Sequence, residues 1–494
     1  MSNATTTLDY VSLDAAVAAL GSTATTLTIS TALSVVANTT VPRTLTLEFT
    51  GSGSLAVPTG VTVTINGPIQ APLKRIFFIT GTGTVTLTVA TEVYPEWWGA
   101  FADGVTDSTN ALQAAINSQY VGKVRLSSGQ YLYSTVLTIP SNVYIEGNDP
   151  AGGFATVLRP NNCAAFIVDN VHHSIIEHLT VWPKGATPPA SVVTIGATAY
   201  CYAIVFRDVR FHFDATSYTE SDSVIRQSNG QGILFDDVII RHDTGQHPII
   251  YRFDSSCGSA VIRGGSFEDA AIGIKHLGGR IMVSDVYSEG CVPAIYLSPS
   301  TDAEAAFTML GGVLFGTNSS VQISIQTGAK NVSINGTYMW RPDLTQQGHV
   351  YDLTGSSNIY INLANYDPAK WTWSVPLDPA IITFPKLNRT RSVTVTYSAS
   401  MNINASTGDS FLIVATNNTA FTINAPTAPL IGQRIRFRIK NTSAGALGAA
   451  TWNAVFKMGA AWTQPASGKS RCIDFENDGT NWIETGRTAV DVSN

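Results

Sequence analysis

The sequence predicts an all-β protein whose central part is a solenoid of parallel strands, with one coil per repeat. Short segments alternate apolar and polar residues, which is the pattern of a strand. A turn-centred segment also recurs between residues 160 and 370, with no helical pattern between its copies. The composition agrees, because 44% of the residues are apolar, 13% are charged and 41 are glycine. These proportions exclude a disordered chain and a coiled-coil rod.

Charge and cysteine content narrow the class of protein further. The net charge of −6 and the isoelectric point near 5.7 argue against a nucleic-acid partner. No apolar run reaches the roughly 18–20 residues that span a bilayer, so no membrane insertion is expected. The first basic residue is Arg43, so the charged start of a secretory signal is not seen. Free buried thiols and folding in a reducing cytoplasm are expected, because no CxxC pair occurs among Cys163, Cys201, Cys257, Cys291 and Cys472.

Residues 1–95 are predicted to form a β-rich N-terminal region. Its strands are short alternations broken by Gly and Pro, such as "TTLTIS", "RTLTLEF", "GVTVTI" and "GTVTLTV". One helix interrupts them, from Leu13 to Leu20, with Ser12 as its N-cap and Gly21 as its stop.

A second helix is predicted over about residues 108–120, in the run "DSTNALQAAINSQY". Either Asp107 or Ser108 caps it, since both side chains accept hydrogen bonds from free backbone N–H groups. Its apolar face is formed by Leu112, Ala115 and Ile116.

The repeat that predicts the solenoid has the form apolar-x-[DG]-apolar-x-apolar. Clear copies are "FRDVRF" at 206, "FDDVII" at 235, "IRGGSF" at 262 and "VSDVYS" at 283. Weaker copies are "IEHLTV" at 176, "MLGGVL" at 309, "INGTYM" at 334 and "INLANY" at 361. Stacked coils of this kind lie about 4.8 Å apart. The repeated turn position holds Asp208, Asp237 and Asp285, which we interpret as turn residues rather than catalytic groups.

From residue 391 to 494 the strands are more closely spaced and are joined by Gly/Asn turns. Examples are "SVTVTYS", "SFLIVAT" and "RIRFRIK". This pattern predicts a separate C-terminal antiparallel β-sandwich, with residues 387–390 as the linker to it.

The run "EWWGAFADGVTDSTNALQAAINS", from Glu96 to Ser118, resembles the entry motif of pectate-lyase-like β-helix proteins. "GKVRLSSGQYLYSTVLTIPSNVYIEGN" at 122–148 resembles the segment that follows it. Departures from the motif are Phe101-Ala102, Ser108 and Ser128. The matching residues are Glu96, Trp97, Gly99, Ala100, Asp103, Gly104, Asp107, Ala111, Leu112, Gln113, Ala115 and Ile116.

This resemblance implies a right-handed single-stranded parallel β-helix over residues 96–386, whose open end is capped by the helix. The 1–95 region also resembles the N-terminal part of β-helix tailspikes and tail fibres of bacteriophages and prophages. The resemblance implies a homotrimer that binds, and often cleaves, a bacterial surface polysaccharide. It further implies phage tail or baseplate partners and a place in the virion tail after assembly in the host cytoplasm. The C-terminal region resembles the sandwich domains that follow such helices and serve trimerisation or glycan binding.

Strand parity sorts the side chains of each coil. The residue after the turn points inward, as at Val209 and Val238, and so does the residue two places later. One outward row is then Trp182, His212, Arg241, Glu268, Glu289, Gly316, Trp340 and Asp367. The neighbouring outward row is Arg210, Ile239, Ser266, Tyr287, Leu314, Tyr338 and Asn365. A register slip at the 21-residue spacing before 283 would reverse this parity.

Glu268 and Glu289 are the predicted catalytic pair. Glycoside hydrolysis needs one carboxylic acid to protonate the leaving oxygen and a second carboxylate to activate water or attack. Repulsion between adjacent carboxylates would raise the pKa of one, and Arg241 would keep the other ionised. The predicted substrate-binding residues are Trp182, His212, Arg241, Tyr287, Tyr338 and Trp340. Solvated surface glutamates are the alternative interpretation of this pair.

Other acidic residues are held in reserve, and no metal or cofactor is predicted. His172, His173 and His178 show no metal-ligand spacing. The reserve carboxylates are Asp214, Asp236, Asp243 and Asp269, and the excursion 213–231 adds Tyr218, Glu220 and Asp222. A site shared between subunits is a further alternative.

Three functions stay open at this point. The first is a tailspike depolymerase that hydrolyses a capsular or O-antigen polysaccharide. The second is a polysaccharide lyase, in which Arg241 or Lys275 neutralises a uronate carboxylate and His212 or Tyr287 is the base. The third is a non-catalytic receptor-binding fibre or adhesin that binds glycan in the same groove.

Overall fold

The computed structural model describes residues 4–6, 10–89, 92–118, 122–149, 153–215, 217, 219, 221–243, 247–299, 302, 304–316, 321–340, 346–375, 378, 380–384 and 392–494. The predicted all-β class and the parallel solenoid are confirmed, since nearly all pairings up to residue 384 stack strands of successive coils in parallel. The solenoid has three sheet faces. The proposed linker 387–390 lies outside the described residues, as do Tyr218 and Glu220.

The first face contains the strand before each repeated turn. Its strands are Glu92–Val93, Gly122–Arg125, Val143–Glu146, the first parts of His172–Val181 and Tyr202–Phe213, Ile233–Asp236, Ser259–Arg263, Arg280–Ser284, Ala306–Leu310, Lys330–Asn335, Ser357–Asn362 and Ile382–Thr383.

The second face contains the strand after each repeated turn. Its strands are Asp103–Asp107, Gly129–Tyr133, Thr156–Pro160, the last parts of His172–Val181 and Tyr202–Phe213, Ile239–His242, Ser266–Glu268, Tyr287–Glu289, Val313–Phe315 and Tyr338–Trp340.

The third face closes each coil. Its strands are Leu137–Ile139, Phe166–Val168, Ser191–Ile195, Ser223–Gln227, His247–Phe253, Ala270–His276, Ile295–Leu297, Val321–Ile325, Gln346–Val350 and Trp371–Trp373. Short 3₁₀ turns lie at Pro95–Trp98, Pro368–Lys370 and Ala405–Thr407.

The N-terminal region is itself built from parallel coils, which its sequence pattern did not predict. The first coil contains the strands Thr25–Ile29, Ala32–Ser34 and Thr39–Val41. The second contains Leu45–Phe49, Ser54–Val57 and Thr62–Ile65, and the third contains Ile69–Gln70, Phe77–Ile79 and Thr84–Leu87. Ala4–Thr6 adds a strand beside Thr25–Ile29. One apolar core runs without interruption from Leu13 to Phe384.

Both predicted helices are present. The first spans Leu13–Leu20, where Ser12 Oγ accepts a hydrogen bond from the Ala15 N–H at 3.3 Å and Gly21 takes φ 55°. The second spans Thr109–Ser118, and its apolar side, with Leu112 and Ile116, is buried against the interior of the coils.

Both candidate caps serve the second helix. Asp107 Oδ1 accepts a hydrogen bond from the Thr109 N–H at 2.8 Å, and the Ser108 carbonyl accepts the first helical bond, from Leu112 N–H at 2.9 Å. Ser108 Oγ also accepts a bond from Phe101 N–H at 3.0 Å, which fixes the loop that enters the helix.

The turn interpretation of the repeat is confirmed. Asp208, Asp237 and Asp285 adopt φ of 50°, 51° and 54°, and Gly264 and Gly311 occupy the same column at 64° and 66°. Asp and Gly are the residues that tolerate this left-handed conformation at low cost.

The sequence-based register is correct except in the copy at 309. There the outward residues are Val313 and Phe315, rather than Leu314 and Gly316, because Tyr287 and Glu289 pair with them. Gly311 takes the turn position and Gly312 also has positive φ, so the strand begins one residue earlier than predicted. Asp367 lies beyond the last strand of the second face, where its N–H donates to Gln347 Oε1 at 2.8 Å.

The C-terminal unit contains the expected antiparallel sheet, with a parallel part that was not expected. Lys469–Asn477 pairs in antiparallel fashion with Arg434–Asn441, Trp482–Arg487 and Val492–Ser493. The other pairings of this unit are parallel, and most of them form two stacks. The first stack contains Ser392–Val395, Ser410–Ala415 and Arg434–Asn441, and the second contains Ser400–Met401, Phe421–Ile423 and Ala450–Trp452. Phe456–Lys457 pairs in parallel with Trp482–Arg487. A second apolar core, from Met401 to Trp482, fills this unit.

No helix among the described residues is long and apolar enough to cross a membrane.

Two buried histidines make the fold sensitive to acid. Burial lowers the pKa of His276 to about 4, although its Nε2 lies 3.1 Å from the Gly279 carbonyl oxygen, a contact that acts in the opposite direction. Burial, with His247 beside it, also lowers the pKa of His242 to about 4.

Acidification is therefore expected to destabilise the protein. A histidine whose pKa is lowered by folding binds its proton more tightly in the unfolded state. The free energy of unfolding is therefore unaffected above about pH 6.5 and decreases as the pH falls toward 4. We expect a loss of about 1.4 kcal/mol per pH unit for each histidine. Denaturant midpoints from pH 7.5 to 4.5 test this, and His276→Gln should flatten the slope; an unchanged slope in that variant would contradict the assignment.

Candidate active site on the second face

Two successive strands of the second face position the two predicted catalytic carboxylates. Glu268 ends the strand Ser266–Glu268, Glu289 ends Tyr287–Glu289, and the two residues are direct Cα partners in the parallel ladder. Phe267 and Ser288 precede them and are buried, so strand parity turns both glutamates outward. The structure therefore brings Glu268 and Glu289 into adjacent coils, about 4.8 Å apart along the solenoid.

Glu268 is the carboxyl that is better suited to hold a proton. Its side chain is 20% exposed, and burial raises its pKa above the usual range. Arg241, whose Nε lies 3.8 Å from Glu268 Oε2, opposes this effect, and the charge of Glu289 adds to it. Burial outweighs the arginine, so the net shift is upward.

Glu289 instead accepts a hydrogen bond. The Tyr287 hydroxyl donates to Glu289 Oε2 at 2.7 Å. Burial and this bond raise the pKa of Tyr287 to about 12, so its hydroxyl stays protonated near neutral pH. This bond fixes the orientation of the Glu289 carboxyl group. It also makes Tyr287 a poor general base, which weighs against one form of the lyase hypothesis.

Arg241 belongs to a small cluster at one side of the pair. Its Nε lies 3.4 Å from Asp243 Oδ1, and His212 Nε2 lies 3.6 Å from Asp243 Oδ2. Burial lowers the pKa of His212, so a neutral imidazole is favoured. Arg241 stands beside Glu268 and not beside Glu289, which differs from the expectation that it neutralises the ionised partner of the pair.

Aromatic side chains flank the carboxylates on both sides. Trp182 and His212 meet edge to face at 4.8 Å, and Phe154, which sequence reasoning missed, lies 5.8 Å from Trp182 and 5.0 Å from His212. On the other side Trp340 stacks on Phe315 at 6.3 Å and is 51% exposed.

The outward side chains of successive coils on the second face form one line, which we call the carboxylate row. At about 4.8 Å per coil it is about 30 Å long. Tyr338, which is 43% exposed and lies 6.2 Å from Trp340, stands beside its last member. The carboxylate row consists of Trp182, His212, Arg241, Glu268, Glu289, Phe315 and Trp340.

Lys275 is absent from this row, which corrects one part of the lyase hypothesis. The residue lies in the third-face strand Ala270–His276, where its Nζ stands 5.8 Å from the centre of the Tyr296 ring. The ladder partner of Lys275 is Arg252, which lies on the same face.

The reserve carboxylates divide by environment. Asp236 binds Arg263 through two hydrogen bonds, of 2.8 and 2.7 Å, and its pKa is lowered chiefly by them. Asp269 has φ 55° at a turn, and burial raises its pKa. Asp214 bonds with Ser217 at 3.3 Å. Asp243 lies beside Arg241 and His212 of this face, and the charge of Asp269 acts on Glu268.

A second cluster of charges lies on the first face and contains His178. Its Nδ1 lies 3.8 Å from Glu146 Oε1 and 3.4 Å from Glu177 Oε1. Glu177 and His178 are adjacent in one strand, whereas Glu146 lies one coil earlier in the ladder, so no local spacing could reveal the cluster. Their atoms lie within 4.8 Å of one another, as in a metal site. The carboxylates are already matched by cations, since Glu146 pairs with Lys123 and Arg125, and Glu177 pairs with Arg207.

The stacked coils define a parallel β-helix protein, as the resemblance implied. No protein-family model matches the chain. A 72-residue segment is 42% identical to the mannuronan C5-epimerase AlgE5 of Azotobacter vinelandii, but this covers 13% of the chain and 7% of that protein.

Two solved structures align with most of the chain at low similarity. ORF18 of Geobacillus virus E2 is 13% identical, with coverage of 82% of this chain and 77% of that chain at a TM-score of 0.27. An exopolygalacturonase from Thermotoga maritima is 9% identical, with coverage of 76% and 94% at a TM-score of 0.23. Scores this low carry no argument about the site, which stands on its own geometry.

Proposed function

We propose that this protein is a phage-type tailspike depolymerase that binds a bacterial surface polysaccharide, either capsule or O-antigen, and hydrolyses it. One observation supports this most: Glu268 and Glu289 stand side by side in an outward row, burial raises the pKa of Glu268, and Glu289 accepts a hydrogen bond from the Tyr287 hydroxyl. Two carboxyl groups whose environments separate their protonation states are what glycoside hydrolysis requires.

In the proposed reaction Glu268 is the general acid. It gives its proton to the glycosidic oxygen, the C1–O bond breaks, and the leaving sugar departs as an alcohol. Glu289 either takes a proton from the water that attacks C1, or attacks C1 itself to form a glycosyl-enzyme ester. In the second course Glu268 then takes a proton from the water that attacks C1, and Glu289 leaves as the carboxylate. Carboxyl separations of about 6.5–9.5 Å give the first course with inversion, and about 5–5.5 Å give the second with retention. Tyr287 orients Glu289 in both cases.

The rest of the carboxylate row supplies the proposed substrate-binding surface. Exposed aromatic faces suit sugar rings, which stack on them through their C–H faces. Phe154 and the half-buried Trp182, whose ring is covered by the Arg159 guanidinium at 4.2 Å, lie on one side of the scissile position, and the exposed Trp340 and Tyr338 on the other. Arg241 offers guanidinium donors between these two sides. A row of about 30 Å suits a polymer better than a single small sugar.

A homotrimer in the virion tail, with phage tail or baseplate proteins as partners, is part of this proposal. The C-terminal unit would serve trimerisation or glycan binding. Light scattering is expected to give about three times the chain mass of 52.5 kDa. We also expect resistance to heat and detergent, because extensively stacked coils unfold slowly. A monomer that dissociates at once in detergent would contradict the trimer.

A lyase is the second candidate, favoured by one observation. The pKa of His212 is lowered by burial, so a neutral imidazole beside Arg241 is available to remove the proton next to a uronate carboxyl. A digest of capsular and O-antigen polysaccharides separates the candidates. Hydrolysis gives new reducing ends alone, which is the expected result, whereas a lyase adds the ultraviolet absorbance of unsaturated uronates. Binding without cleavage of every polysaccharide would indicate a receptor-binding fibre.

A further inference from the structure

A polar cavity of about 440 Å³ opens on the third face, away from the carboxylate row. We call it the third-face pocket; residues that line it include Arg226, Arg252, Asp254, Ser228 and Ser255. The arginines stand in the strands Ser223–Gln227 and His247–Phe253, where they are direct ladder partners. The cavity is within the size range of about 300–1,000 Å³ that is typical of small-molecule sites.

One carboxylate holds both arginines in place. Asp254 Oδ2 accepts from Arg226 Nε and Asp254 Oδ1 accepts from Arg252 Nε, each at 2.7 Å. Ser228 Oγ adds a third bond to Asp254 at 2.9 Å. Burial alone would raise the pKa of Asp254, but these bonds lower it overall, so the group stays ionised. Two like charges in adjacent coils are thereby fixed at a defined spacing.

The guanidinium of Arg226 is held at one edge only. Within the described part of the chain its Nε makes the bond to Asp254, and its Nη groups have no protein acceptor. The side chain is 35% exposed, so these donors are accessible from the cavity. An arginine fixed through Nε presents a planar pair of donors, which matches the two oxygens of a carboxylate.

The surroundings favour a hydroxylated anion. Serine hydroxyls at positions 255, 256 and 298 line the cavity, whereas Ala197 and Leu277 are its apolar residues. Two arginines and one carboxylate, Asp254, line the cavity, and Arg252 also pairs with Asp222. A neutral apolar ligand would leave the Nη donors of Arg226 without an acceptor, and a bare inorganic anion would leave most of the cavity unfilled.

We propose that the third-face pocket binds a carboxylate-bearing sugar unit, with its carboxylate on Arg226 and its hydroxyls on the serine wall. The sugar unit is of the uronate class. The site anchors a glycan on a face that carries neither Glu268 nor Glu289, so it is separate from the proposed hydrolytic site and does not depend on hydrolysis.

Saturation-transfer NMR and calorimetry on the full-length protein test this site, with glucuronate and galacturonate as probes. We expect a dissociation constant of about 1–10 mM for at least one uronate. Glucose and galactose, which lack only the carboxylate, should bind at least fivefold more weakly. Inorganic phosphate and acetate are the third arm, and competition by them as strong as that of the uronates would overturn the sugar assignment.

Three variants locate the binding. Arg226→Gln should weaken uronate binding at least tenfold, and Arg226→Lys should weaken it too, because a lysine lacks the paired donors. Arg280→Gln is the matched control, since Arg280 is a 65% exposed arginine of the same solenoid that pairs with Glu304. Glu268→Gln should leave uronate binding unchanged. Unaltered binding in Arg226→Gln, or no uronate binding to the native protein, would refute the proposal whatever the outcome of the hydrolysis assays.

Discussion

Glu268→Gln and Glu289→Gln are each expected to lower polysaccharide turnover at least about a hundredfold while leaving glycan binding intact. A glutamine keeps the size and polarity of the side chain but neither gives up a proton at the glycosidic oxygen nor accepts one from water. Since both groups act in the same step, either substitution alone should remove most of the activity. Initial rates of reducing-end release, with affinity from calorimetry, measure the two effects separately.

The control for this pair is Glu304→Gln, which makes the same chemical change at a glutamate that is 79% exposed and pairs with Arg280. It should retain full activity. The pH profile adds a second test, because Glu268 must be protonated and Glu289 ionised. The raised pKa of Glu268 should extend activity toward neutral pH. Full turnover in both glutamine variants would move the site to the 213–231 excursion or to a cleft between subunits.

Gly265→Ala is expected to destabilise the solenoid by about 3 kcal/mol. Gly265 has φ 72°, and a Cβ there would lie 2.1 Å from the Val238 carbonyl oxygen of the coil beneath. Other coils place valine in this column, as at Val238 and Val286, because their turn needs only one left-handed residue. The coil at 262 uses two glycines, so an alanine meets both strain and a backbone clash.

Gly355→Ala separates these two causes. Gly355 also has positive φ, at 68°, but its nearest neighbour would be 3.9 Å from the new Cβ. It should therefore lose only the roughly 1–2 kcal/mol of left-handed strain. Denaturant midpoints and unfolding rates of the two variants measure the difference. Equal losses would mean that the coil contact at Val238 contributes nothing.

The features that could be predicted from the sequence are those that the residues of a single coil determine. The helix caps at Ser12 and Asp107 and the left-handed turns at Asp208, Asp237 and Asp285 are local features that single residues determine. Strand parity then placed Glu268 and Glu289 outward in adjacent coils, because the side-chain alternation of a strand is fixed.

Features that depend on stacking between coils could not be predicted from the sequence. The Thr-rich coils before residue 90 carry no recurrent turn motif, so their parallel pairing was not visible. Two consecutive glycines at 311 and 312 left the next strand's start ambiguous, which shifted Phe315 out of its row. Glu146 meets Glu177 and His178 only because two adjacent coils align, and Phe154 reaches Trp182 from a loop.

The most direct test of the central claim is a structure of the Glu268→Gln variant with an oligosaccharide product of its own polysaccharide. The account predicts that the glycan lies along the second face, across Glu268 and Glu289, with sugar rings against Trp182 on one side and Trp340 on the other. A glycan that crosses another face, or that lies between subunits without touching the two glutamates, would contradict the proposed active site.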